Sequence, residues 1–163
     1  SLPTYAGTVL SYDRPIALVA HSADQARTAA HRLALIGLDD VAGWATFDEV
    51  RAAEGGDALQ HTPTIDARTL ASSAGTNGTR IVDVRGRSEW NEGHIPGATH
   101  VYLGVLGDRL DEFRKDEPIV VYCQSGTRTS IAVSLLQLRG FTDVTSFAGG
   151  MDAWRKSELP VER

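Results

Sequence analysis

The sequence predicts an α/β fold with a parallel sheet flanked by helices. Three observations carry that prediction: short apolar runs alternating with helical patterns, a nearly continuous apolar run at 118–122, and an internal repeat of one strand–helix–strand unit. Alternating strands and helices point to βαβ units. A strand that is apolar throughout is buried on both faces, as central parallel strands are.

The elements follow in order. Residues 52–63 are small, polar and glycine-rich and read as a linker between a partial unit at 1–51 and a full domain at 64–163. A second soft stretch, 71–79, separates a short helix from a strand at 81–84. Residues 89–95 read as a helix or turn closed by Pro96-Gly97, 99–103 as a strand and 106–113 as a short helix. After the strand at 118–122 comes a helix at 129–139. It carries Ile131, Ala132, Leu135, Leu136 and Leu138 at helical spacing and stops at Gly140. Residues 144–147 form the last strand, and Gly149-Gly150 leads into a helix holding Trp154.

The repeat emerges on shifting the sequence by 103 residues, which lays Asp13 on Asp116 and continues without a gap to Val41 on Val144. Ten of the 29 positions are identical, among them Pro15, Ser22, Leu33, Gly37 and Asp40. The same βαβ unit is therefore expected twice, with the first copy partial. Where the second copy has Cys123 and Arg128, the first has Ala20 and Gln25.

Composition excludes several classes. In 163 residues, 16 Lys+Arg stand against 21 Asp+Glu, a formal net charge of −5. With no basic run, nucleic acid and anionic membrane surfaces are not expected partners. No apolar run approaches the ~18 residues a membrane span needs. One cysteine permits no internal disulfide, and the Ser1-Leu2-Pro3 start reads as the edge of a larger protein rather than a signal peptide. A cytoplasmic location is expected. His21, His31, His61 and His100 show no ligand spacing and there is no nucleotide-binding glycine fingerprint, so no metal or other cofactor is expected in this chain.

Chemistry concentrates at one loop. Cys123 ends an apolar strand and is followed by Gln124-Ser125-Gly126-Thr127-Arg128 and a helix. Ligands bind at such strand ends in open α/β sheets. Successive loop N–H groups curl around an anion, and the helix N-terminus adds partial positive charge. Both effects, with Arg128, favour thiolate, the nucleophilic form. Gly126 lets the backbone turn where a side chain would block the anion. A solitary cysteine is more often a buried small hydrophobe, but this setting argues for a nucleophile. Four residues separate Cys123 from Arg128, one fewer than in the phosphate-gripping loop of cysteine phosphatases, and Tyr122 stands where those commonly have histidine. The tighter loop suits a nucleophile that carries a terminal sulfur atom.

Four motifs stand in order along the second unit. They are Ile81-Val82-Asp83-Val84-Arg85 with Glu89, Gly93-His94-Ile95-Pro96-Gly97-Ala98, the Cys123–Arg128 loop, and Gly149-Gly150-Met151-Asp152-Ala153-Trp154. With them, residues 64–163 resemble a rhodanese domain, a sulfurtransferase module that uses thiosulfate or persulfides. Residues 1–51 resemble the back half of an inactive copy. The pair resembles the tails of metallo-β-lactamase-fold proteins of the persulfide dioxygenase type, which implies an upstream domain of that fold as a partner.

The resemblance implies Cys123 as the sulfur-carrying nucleophile and Gln124, Ser125, Gly126, Thr127 and Arg128 as its cradle. It implies that Arg85 faces the active site, a surface ion pair being the other reading. Asp83 is implied to organise loops through hydrogen bonds. His94 reads as part of a structural turn rather than a general base, and Trp90 and Trp154 as packing. The implied reaction moves sulfur from thiosulfate or a persulfide through a Cys123 persulfide to an external thiol. Two other functions remain open: a docking module that delivers sulfur within a larger assembly, and a cysteine phosphatase. An incomplete sheet in the first unit leaves an apolar edge, which predicts pairing between two copies of the chain.

Overall fold

The computed structural model describes residues 1–53, 61–73 and 78–163. The chain divides into two units, Ser1–His61 and Thr62–Arg163.

The first unit runs α1 (Leu2–Val9), β1 (Ile16–Val19), α2 (Ala23–Ala34), β2 (Val41–Ala45) and α3 (Phe47–Ala53). β1 and β2 pair in parallel, Ile16 against Val41 and Leu18 against Trp44. Ser22 caps α2, its hydroxyl accepting from the Gln25 amide at 3.3 Å. Leu33 and Leu38 bury against Ala6 of α1, with Ile16, Leu18 and Ile36 packed around them. Val19, Trp44 and Phe47 stay exposed.

In the second unit, α4 (Ala67–Ser73), β3 (Arg80–Asp83), α5 (Arg87–Asn91), β4 (Thr99–His100) and α6 (Leu103–Leu106) are followed by a 3₁₀ turn at Gly107–Glu112. β5 (Ile119–Tyr122), α7 (Thr127–Leu138), β6 (Val144–Phe147) and α8 (Gly150–Lys156) complete it. The sheet is parallel with order β4-β3-β5-β6. β5 is its buried centre, every residue of Ile119–Tyr122 being out of solvent. Val120, Tyr122, Phe147, Leu70, Met151 and Trp154 share one core, and burying each such large side chain contributes about 1.5–3 kcal/mol. The outer edge of β6 is covered, because Ser146 donates its amide to Pro63 O at 2.8 Å and accepts from the Ile65 amide at 3.1 Å.

Three local features of the first unit have counterparts 103 residues on, although the pairing of β1 with β2 slips by one residue after Ile16 where that of β5 with β6 keeps step. Ile119 faces Val144 as Ile16 faces Val41. Gly140 turns with φ 86° where Gly37 turns with φ 81°. The Phe141 amide donates to Leu136 O, as the Leu38 amide does to Leu33 O, both at 3.1 Å.

The elements differ from the sequence expectation at their edges. The linker expected at 52–63 is shorter, since Ala52 and Ala53 belong to α3 and Pro63 pairs with β6; residues 54–60 lie outside the described residues, as do 74–77 of the soft stretch. α5 begins two residues before the expected helix because Glu89 closes back on the Gly86 amide at 3.1 Å. The strand expected at 99–103 pairs only at Thr99–His100, and Leu103 starts α6. The helix expected at 106–113 is split between α6 and the 3₁₀ turn. α7 begins at Thr127, two residues before the expected helix, because Gly126 takes φ 104° at its N-cap. Among the described residues, no helix is long and apolar enough to cross a membrane.

Candidate active site

β5 is central, so its carboxyl end delivers Cys123 to the crevice edge of the sheet. Cys123 is 1% exposed, and its sulfur accepts a hydrogen bond from the Gly126 amide at 3.1 Å. Burial alone pushes the thiol up. The Thr129 hydroxyl and the amides of Thr129, Gly126 and Ser125 outweigh it and hold the thiol below its ordinary value. The buried Thr129 Oγ1 makes no hydrogen bond among the described residues, so it favours thiolate as a neighbouring hydroxyl dipole rather than as a bound donor.

What bends the loop into this shape lies on its other side. Cys123 O and Gln124 O face away from the sulfur and accept the Met151 and Asp152 amides of α8 at 2.9 and 3.1 Å. Carbonyls turned to α8 leave the following N–H groups for the sulfur. Two glycines make the fit: a Cβ on Gly126 would stand 2.5 Å from Ala148 O, and one on Gly150 (φ 55°) would stand 2.6 Å from Gln124 O.

A family model for the rhodanese-like domain matches residues 66–157. The chain belongs to the rhodanese family. A sulfurtransferase of Allochromatium vinosum is 34% identical over 98 residues, covering 60% of this chain and 92% of that one. A thiosulfate sulfurtransferase of Glaesserella parasuis is 35% identical over 82 residues, covering 50% and 76%. The solution structure of the rhodanese-like domain of the Anabaena protein Alr3790 superposes with a TM-score of 0.58 at 38% identity, covering 63% of this chain and 80% of that one. The α/β rhodanese fold and membership among proteins named sulfurtransferases follow.

Within this rhodanese-like domain, the sequence-predicted residues do not all converge on the sulfur. Gln124 spans the rim: its Oε1 accepts from Arg85 Nη1 at 3.3 Å, and its Nε2 donates to Asp152 at 2.5 Å. Ser125 and Thr127 are exposed, and of the two the Ser125 amide is among the groups that favour the Cys123 thiolate. Arg85 is 1% exposed, locked against Asp83 at 2.7 Å and donating to Gly93 O at 2.9 Å. It is thus neither a surface ion pair nor a group turned wholly to the site, because burial demands that its charge be matched. Arg128 points to Glu89, which it grips with two bonds of 2.5 and 2.7 Å.

His94 stacks on Trp90 with ring centroids 3.4 Å apart and pairs its backbone with Glu162 in an isolated antiparallel bridge, two residues before the turn at Pro96-Gly97. Trp90 also stacks on His100 at 5.0 Å, and Trp154 lies buried edge-on to Phe147. No cluster suited to a metal ion occurs among the described residues.

Sequence reasoning missed two residues. Thr129 lay beyond the loop as drawn, and the first apolar-facing position of a helix that starts at an anion cradle was the available signal. Glu89 was noted as part of a motif but had no partner, because Arg128 is distant in sequence and only the sheet brings them together.

Proposed function

We propose that this protein moves sulfane sulfur through a persulfide on Cys123. The Cys123 thiolate attacks the outer sulfur of thiosulfate or of an alkyl persulfide. An Sγ–S bond forms, the donor's S–S bond breaks, and sulfite or a thiol leaves with the bond's electron pair. With a persulfide donor, the proton on the outer sulfur passes to the leaving thiol. A thiol acceptor then takes the outer sulfur and restores the thiolate. No second cysteine exists in these 163 residues, so none of them can resolve the persulfide.

The observation that carries this reading is the Cys123 sulfur held by the Gly126 amide in a loop whose amides favour thiolate despite burial. Persulfide is a stronger acid than thiol, and the same donors favour its anion. The experiment is mass spectrometry of the protein after incubation with thiosulfate or glutathione persulfide. Wild type should gain one sulfur and Cys123→Ala none. Equal labelling of both would overturn the reading.

The first unit is read as an inactive copy of the second half of the same domain. Its support is the shared parallel pair, Ile16 on Val41 and Ile119 on Val144, and the shared glycine turn. The loop at Ala20 is closed by its own side chains: Gln25 Oε1 accepts the His21 amide at 2.7 Å, and Ser22 Oγ accepts the Gln25 amide. Amides used in this way do not serve an anion.

A further inference from the structure

Two guanidiniums stand near the Cys123 loop, and each is closed by a carboxylate. Arg85 is bound to Asp83 in the interior. Arg128, in the first turn of α7, is bound by both oxygens of Glu89. A third carboxylate, Asp152, sits on Gln124 at the rim. The five groups sum to one negative charge. Side-chain exposures of 17% for Arg128 and 31% for Glu89 put this pair partly out of water, where salt screens it less than a surface pair. Glu89 is not free to swing away, because the same Oε2 that meets Arg128 also accepts the Gly86 amide at the start of α5.

Donors differ in the charge they bring to a thiolate. Thiosulfate is a dianion, so its reaction with Cys123 gathers three negative charges in one crevice. An alkyl persulfide brings at most one at its reacting end, and none in the protonated form that thiolate attacks. A dianion needs a guanidinium that can turn to it, and here the one beside the nucleophile is held by Glu89.

Building on the sulfurtransferase reading, we propose that Glu89 determines donor choice: by clamping Arg128 it sets the site against dianionic donors and matches it to an organic persulfide. The loop amides and the Thr129 hydroxyl then face the transferred sulfur, which suits an anion of single charge. Glu89 acts through Arg128 and is a specificity-determining residue, not a catalytic one.

The test is the second-order rate of Cys123 persulfide formation, followed by mass spectrometry with thiosulfate and with glutathione persulfide. Wild type should load faster from glutathione persulfide. Glu89→Gln keeps an oxygen for the Gly86 amide but drops the charge, and should raise the thiosulfate rate about tenfold while changing the persulfide rate by about twofold or less. Sulfate should inhibit persulfide loading more strongly in Glu89→Gln than in wild type. Faster loading of wild type from thiosulfate, or a thiosulfate rate that Glu89→Gln leaves unchanged or lowers, would overturn the proposal while leaving the sulfurtransferase reading intact. Loading from neither donor would overturn both. The wild-type comparison stands even if the variant fails to fold.

Discussion

The Met151 amide donates to the carbonyl of Cys123 at 2.9 Å, so the helix after the last strand is tied to the backbone of the site cysteine itself. The carbonyl cannot turn toward the sulfur while α8 holds it. The shape of the loop is thus set from behind by α8 as well as by its own residues.

Gly150 makes that contact. Alanine there would keep an unfavourable positive φ and press its Cβ onto Gln124 O. Gly150→Ala is expected to cost at least about 1–3 kcal/mol of stability. Urea unfolding measures the loss, and slower alkylation of Cys123 in the folded variant would report the loosened loop.

Thr129 tunes the thiol. Its hydroxyl favours thiolate, so removing it destabilises the charged form and moves ionisation to higher pH. Thr129→Val should therefore slow iodoacetamide alkylation at pH 7 by about threefold or more, with rates converging at high pH where both proteins are ionised. Thr129→Ser should restore the wild-type profile. A profile unmoved by the valine would show that the amides do this alone.

Asp83 neutralises a guanidinium that is 1% exposed. Asp83→Ala would leave Arg85 buried and uncompensated, at an expected cost of about 3–5 kcal/mol. The midpoint of thermal or urea unfolding checks this.

Tyr122 ends β5 with its hydroxyl buried, where it accepts the Ile95 amide at 3.2 Å. Burial, then the Asp83 charge, keeps this phenol protonated far above its ordinary range. Tyr122→Phe leaves the Ile95 amide without that acceptor and should cost about 1–3 kcal/mol. Hydrogen exchange at Ile95 should accelerate with it.

Much of this was legible in the chain. The apolar run at Ile119–Tyr122 announces a buried strand because nothing polar interrupts it, and Val144–Phe147 begins and ends where its pattern does. Cys123 stood out because strand, glycine, arginine and helix lie next to it in sequence. The direction of Arg85 was not legible. A strand end can aim a side chain either way, and the choice fell to Asp83, Gly93 and Gln124, of which Gln124 comes from another strand's loop.

By itself the sequence determined a parallel α/β domain, its candidate site at Cys123, and a second βαβ pattern offset by 103 residues. Those are local and periodic properties, written in the spacing of apolar residues and glycines. Only the tertiary structure decided that Arg128 belongs to Glu89, that the buried Thr129 hydroxyl favours the thiolate, and that α8 holds the carbonyls of the loop. Each joins segments brought together by the sheet or by the first turn of a helix, and the energy of a charge pair or a buried hydroxyl depends on distance and burial that no spacing along the chain records.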